Sequence, residues 1–224
     1  MTISLFRTPA RWRWAKPFLA IAALALAMPA CRIGEGEGEV SSEKLDVQGC
    51  WNGQFRLGPN FFAANPYRRM LEIRVQHGVD TLEVSDGVSI LVDDIDKVRT
   101  HIAEHPGEPL RAGLPPSVVP PGVPVVFDPD PPLVHLTLYL HRACHAQNAA
   151  LYSLDGGVVF RSIFNGNLSE SDVDETLTEG EFSNLVVGDP RNLEPGTQTV
   201  TNTSHLNGRF KFYFQRGQPA QPFP

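Results

Sequence analysis

Within Leu133-Val134-His135-Leu136-Thr137-Leu138-Tyr139-Leu140-His141-Arg142, apolar and polar residues alternate from Val134 to His141. In an extended chain, Val134, Leu136, Leu138 and Leu140 share one face; His135, Thr137, Tyr139 and His141 share the other. A period of two is that of a half-buried β-strand. Met70–Gln76 repeats it, with Leu71, Ile73 and Val75 inward and Glu72, Arg74 and Gln76 outward. Thr81–Ser85 and Val88–Val92 flank Asp86-Gly87, a strong hairpin signal. Ala150–Leu154 and Val158–Phe164 flank Asp155-Gly156-Gly157 and read as a second hairpin. Val47–Leu57, Gly180–Val187 and Leu206–Gln215 complete the strands, the last with Phe210, Phe212 and Phe214 on one face.

Two segments break this pattern. Ile95, Val98 and Ile102 fall at helical spacing within Asp93–Glu104, with Asp93 or Asp94 as cap and Pro106-Gly107 as stop. Pro106–Pro132 carries ten of the 20 prolines. Proline lacks a ladder donor, so this stretch reads as an extended crossover between sheets, with one edge strand at Val123–Phe127. The expected fold is all-β: a two-sheet β-sandwich with one short helix and a proline-rich crossover. The pattern Gly-x-Phe recurs at Gly53-Gln54-Phe55, Gly180-Glu181-Phe182 and Gly208-Arg209-Phe210, a packing solution and not a sequence repeat.

The beginning of the chain has a different character. Arg7, Arg11, Arg13 and Lys16 precede an apolar run, Phe18–Met28, and no acid lies among them. This is the layout of an export signal. The run is shorter than the roughly 20 residues that span a bilayer. Met28-Pro29-Ala30-Cys31 resembles the cleavage box of bacterial lipoproteins, with Pro29 a departure from the family pattern. The resemblance covers about the first 31 residues. It implies removal of residues 1–30 as a signal peptide and a diacylglyceryl thioether on Cys31. The competing reading is cleavage after Ala27 and release as a soluble periplasmic or secreted protein. Residues 31–44, containing Gly34-Glu35-Gly36-Glu37-Gly38-Glu39, then read as a flexible lipid-anchored tether. Residues 45–216 read as the single β-sandwich domain, and 217–224 as an irregular tail.

The chain has 19 Lys and Arg against 25 Asp and Glu. Losing the four basic residues of the signal leaves 15 against 25, a net of −10. Such a surface repels phosphate backbones and anionic headgroups, which argues against nucleic acid as a partner. The membrane is then reached through the lipid alone, and the remaining partner is an envelope protein or ligand of unknown identity. If Cys31 carries lipid, Cys50 and Cys144 remain as a disulfide pair in an oxidising compartment; two separate buried thiols are the alternative.

Candidate sites are sparse. His141 and His145 flank Cys144 and are of the type that binds zinc, but a strand end brings them to one ion only through a turn. His101 and His105 share a helical face. Asp172, Asp174 and Glu175, with Asn165 and Asn167, offer oxygens of the kind calcium takes, without EF-hand spacing. Gly49-Cys50-Trp51 resembles the G-x-W that opens the first strand of lipocalins, which implies a β-barrel with a cavity around Trp51. No G-x-S-x-G elbow, P-loop or H-E-x-x-H is present. No catalytic residue and no cofactor is therefore assigned. The expectation is a non-enzymatic outer-membrane lipoprotein acting as a structural or protein-interaction module. The alternatives are a small-ligand carrier and a hydrolase whose Ser, His and Asp are distant in sequence.

Overall fold

A computed structural model describes residues 36–47, 50–78, 84–118, 128–144, 147–192 and 200–214. Residues 1–30, expected to be a signal peptide, Cys31, His145, the 217–224 tail, the expected strand at Val123–Phe127 and most of that at Thr81–Ser85 lie outside them. The elements, numbered in chain order, are β1 (Gly36–Val47), β2 (Trp51–Leu57), β3 (Phe61–Tyr67), β4 (Met70–His77) and β5 (Asp86–Val92). Helix α1 (Ile95–Glu104) and β6 (Leu110–Arg111) follow. After these come β7 (Val134–Cys144), β8 (Gln147–Asp155), β9 (Gly157–Ser162), β10 (Leu177–Gly188) and β11 (Ser204–Tyr213). The fold is all-β, with one helix among the described residues.

All the strands belong to one antiparallel sheet, in the order β2-β1-β11-β10-β8-β7-β5-β4-β3, with β9 and β6 branching from β10. The sheet does not close into a lipocalin-like barrel: among the described residues β2 pairs only with β1 and β3 only with β4. Its two terminal strands are nevertheless joined by residues 58–60 alone.

Two irregularities of the sheet lie side by side. Asn184 has φ 55 within a register shift of β10, and Gly156 has φ 104 between β8 and β9. Such bulges sharpen bend and twist. Asp155-Gly156-Gly157 is therefore a kink and not the expected hairpin turn. β8 and β9 run on along the same neighbour, Tyr152 to Asp155 against Gly188 to Val186 and Val158 to Ser162 against Phe182 to Glu179. Asp86-Gly87 is also not a turn. Both residues lie in the ladder, opposite His77 and Gln76. Gly87 is required there by space, since a β-carbon would come within 2.3 Å of Gln76 Cβ.

The largest departure is the Gly-Glu run. From Gly36 onward it is strand β1, inserted between β11 and β2, and not tether. A β-carbon at Gly36 would lie 2.6 Å from Phe212 Cβ and 2.9 Å from the Phe62 ring. At Gly38 it would lie 3.2 Å from the same ring. The glycines thus leave room for a phenylalanine laid across the strand, and Phe62 and Phe212 pack with ring centres 5.7 Å apart. Glu37 and Glu39 stand opposite Lys211 and Arg209. A repeat that reads as low complexity is an alternation of packing gaps and charges.

Helix α1 forms as its spacing predicts. The Asp94 carboxylate accepts from Lys97 N at 3.2 Å and pairs with Arg69 at 2.6 Å. Ile95 and Val98 are buried. The proline-rich stretch is not a passage between sheets. Its two ends meet: Ala112 bridges Val134, Gly113 N donates to Val134 O at 3.1 Å, and a β-carbon at Gly113 would lie 2.6 Å from Pro132 Cγ. Arg111 binds both the carbonyl of Asp130 and the carboxylate of Asp128. Gly113 and Pro132 are thus brought to one place.

Candidate functional site

Strand β4 is buried on both faces. Leu71, Ile73 and Val75 join the apolar core, as predicted. Glu72, Arg74 and Gln76, expected in solvent, are also fully buried. The strand pairing explains the arrangement. Glu72, Arg74 and Gln76 sit beside Asn65, Ala63 and Phe61 of β3 and beside Leu91, Ser89 and Gly87 of β5. Ser89 Oγ donates to Glu72 Oε1 at 2.9 Å, and Asn65 Nδ2 donates to Glu72 Oε2 at 3.3 Å. Arg74 donates through Nε and an Nη to Gln76 Oε1, at 3.1 and 2.8 Å, and lies over the Phe61 ring. Burial pushes the Glu72 carboxyl up, against the opposing pull of its two hydrogen bonds and of Arg74. Burial also pushes the Tyr139 hydroxyl strongly up, with Tyr152 and Glu72 adding to it. The Glu72 carboxylate is thus held by donors from the strands on either side of it, as a buried acceptor must be.

A second cluster lies at the base of the proline-rich loop. His135 is 3% exposed. Its Nδ1 is 2.8 Å from Gly113 O and its Nε2 is 3.2 Å from Asp93 Oδ2. Ser153 Oγ donates to the same Gly113 carbonyl at 2.8 Å and accepts from Leu136 N at 2.9 Å. Ser, His and Asp thus converge, but not as a nucleophile and its base. Both imidazole nitrogens are engaged elsewhere, and the serine proton is directed at a carbonyl. A triad requires a nitrogen facing the hydroxyl. Sequence reading placed His135 outward and missed Asp93, Gly113 and Ser153, because their meeting depends on how the loop returns.

A third place is a groove of about 550 Å³ between α1 and the loop, lined by His101, Glu104, His105, Arg111, Asp130 and Leu133 among others. The His101 and His105 rings lie 5.2 Å apart. His101 Nε2 is 3.2 Å from Glu108 O, and His105 Nδ1 is 3.5 Å from Glu108 Oε2. Among the described residues no three His, Cys, Asp or Glu side chains are placed to hold a metal ion.

The remaining candidates are scattered. His141 N donates to Asp86 Oδ1 at 2.6 Å, and its Nδ1 is buried without a partner among the described residues. Asp172 and Asp174 are exposed on a short 3-10 turn. Asn165 and Asn167 donate to Glu170 at 2.8 and 3.0 Å, so this loop is closed by its own side chains. Trp51, around which the lipocalin resemblance implies a cavity, is 40% exposed at the start of β2. Cys50 lies in the β1–β2 turn, where its N donates to Val47 O, and its sulfur is disulfide-bonded. Cys144 ends β7, and its side chain lies outside the described residues. Comparison with protein-family models, curated proteins and solved structures found no match to this chain.

Proposed function

We propose that the chain is an exported envelope lipoprotein, anchored through Cys31, whose β domain is a non-enzymatic protein-interaction module. The observation that carries the interaction reading is strand β2. Among the described residues it lies at the end of the sheet, hydrogen-bonded to β1 alone, with Asn52, Gln54 and Arg56 exposed along it. An open ladder of this kind accepts a further strand. β3, at the other end, carries Pro66 and is largely buried. β6, the edge nearest the proline-rich loop, is only two residues long.

The disulfide at Cys50 supports export, because such bonds persist in oxidising compartments. Strand β1 favours Cys144 over Cys31 as its partner. From Gly36 to Val47 the strand extends for about 36 Å, whereas five residues reach back at most about 18 Å. Cys144 belongs to the same rim of the sheet as Cys50. Asp46 bonds Ser204, Ser204 faces Val187, Gly188 faces Tyr152, and β8 begins opposite Cys144. Pairing Cys50 with Cys144 leaves Cys31 for lipid.

Intact-mass analysis of protein from the native membrane fraction tests the anchor. The expected species begins at Cys31 and carries acyl chains and one disulfide. A chain beginning at Met1 or Met28, or a free Cys31 thiol, overturns it. A photo-reactive residue at Gln54 tests the module: it should form a discrete cross-linked product in the envelope, while the same residue at Arg99 on α1 should not. Equal yields at the two positions overturn the assignment to β2.

A further inference from the structure

We propose that two copies of this chain join through β2, antiparallel and about a two-fold axis at Gln54. The inference rests on the reading of β2 as an interaction edge and names its occupant. It starts from the three Gly-x-Phe motifs. Two of them, on β10 and β11, run antiparallel, with Gly180 opposite Phe210 and Phe182 opposite Gly208. Each ring takes the space that a β-carbon at the other motif's glycine would need. An aromatic ring laid over a glycine of the neighbouring strand holds the register of the pair. The third motif, Gly53-Gln54-Phe55, has no such counterpart. Strand β1 sets Leu45 opposite Gly53 and Ser42 opposite Phe55. A β-carbon at Gly53 would have nothing within 4 Å. The gap is open, and it lies on the strand that ends the sheet among the described residues.

A second copy supplies the counterpart. Pairing β2 with β2 about Gln54 sets Gly53 opposite Phe55 of the second copy, and Phe55 opposite its Gly53. This is the arrangement that β10 and β11 already make. Such an interface is isologous, since one patch meets itself. The open backbone groups of each edge are then met by those of the other. The same register sets Trp51 opposite Leu57, and the indole, 40% exposed in the single copy, gains cover.

Charge is complementary in this register. Arg56 is the only charged residue of β2, and among the described residues no acid pairs with it. In the joined sheet it lies opposite Asn52 of the second copy. Behind that Asn52, on β1, stands Asp46, whose Oδ2 accepts from Asn52 Nδ2 at 3.5 Å. Two strand spacings are about 10 Å, a distance that an arginine and an aspartate side chain span together. No like charges face each other across the β2–β2 ladder, where they would oppose pairing.

Two measurements on the full chain test this. Sedimentation of the purified protein should show a reversible monomer–dimer equilibrium. Gly53→Val should weaken the dimer by roughly a hundredfold, about tenfold at each of the two symmetric contacts. In the single copy the valine enters open space, so the melting temperature in dilute solution should not fall. Arg56→Glu should also weaken the dimer, and Asp46→Lys in the same chain should restore it. In the second measurement, a photo-reactive residue at Gln54 should join two copies through the peptide that holds residues 52–56. A monomer at every concentration overturns the proposal, and so does a dimer indifferent to Gly53→Val. A cross-link from Gln54 to another protein alone removes the second copy and leaves β2 as an interaction edge. Absence of any cross-link there removes both.

Discussion

Phe182 of β10 lies directly opposite Gly208 of β11, and its ring occupies the space a side chain at Gly208 would need. A β-carbon there would be 2.4 Å from Phe182 Cζ. The relation is reciprocal two residues on. Phe210 faces Gly180, and a β-carbon at Gly180 would be 2.7 Å from Phe210 Cζ. Two Gly-x-Phe motifs, run antiparallel, cover each other's glycines, a device that pins register.

Gly208→Val should therefore cost about 1–3 kcal/mol through overpacking. Phe182→Ala should cost about 3–5 kcal/mol through the cavity it leaves. In the double variant Gly208→Val/Phe182→Ala the valine occupies the vacated space, so the cost should fall below the sum of the two. Urea denaturation of all three variants measures this, and strict additivity would show that the two positions are not coupled.

Gly38→Val should behave quite differently from Glu39→Lys. The first forces a branched side chain towards the Phe62 ring and should lower the melting temperature clearly. The second breaks an exposed ion pair with Arg209 and should cost no more than about 1 kcal/mol. If residues 36–39 were tether, neither would matter. Thermal melts followed by circular dichroism separate the cases.

Glu72→Gln should raise stability at neutral pH. Burial pushes the Glu72 carboxyl up, so the folded state binds its proton more tightly than the unfolded state. Stability then falls as pH rises above the ordinary glutamate range, and that loss is what Gln removes. The advantage should disappear in acid, where the wild-type carboxyl is neutral. Denaturation midpoints measured across pH check the crossing.

Arg191→Gln should act on the acid side. Burial alone would raise the Asp189 carboxyl, but Arg191, through its side chain and its backbone N–H, holds it below its usual range. A depressed carboxylate stabilises above its unfolded pKa and loses that contribution as pH falls through the folded one. The variant should be less stable than wild type at neutral pH and equal to it in strong acid. An unchanged acid slope would assign that slope to other groups.

Cys50→Ser should lower stability by about 4–5 kcal/mol on the chain-entropy view of a loop closed to Cys144. Non-reducing peptide mapping should recover the Cys50 peptide joined to the Cys144 peptide. Recovery with the Cys31 peptide would exclude the lipid.

The strands of this protein are legible because one side of each is apolar. Leu71, Ile73, Val134, Leu136 and Leu138 are all buried as their alternation demands. The opposite face was not legible, because alternation shows that residues differ between faces and not that the polar face meets water. Glu72 and Arg74 were misplaced for that reason. Asp86-Gly87 and Gly156 were misread because glycine serves turns, bulges and crowded ladders alike, and only neighbours across the sheet distinguish them. The Gly-Glu run was misread because Phe62 and Phe212, which give it a place, are distant in sequence. The His135 cluster has no local signature, since Asp93, Gly113, His135 and Ser153 come from four separate segments.

The first strand of this sheet lies against the last, with Gly36 opposite Phe212. Such a pairing cannot form while the carboxyl end is still being synthesised. Until then β1 has β2 on one side and lacks β11 on the other. Late closure of this kind is slow, because the whole intervening chain must be brought together first.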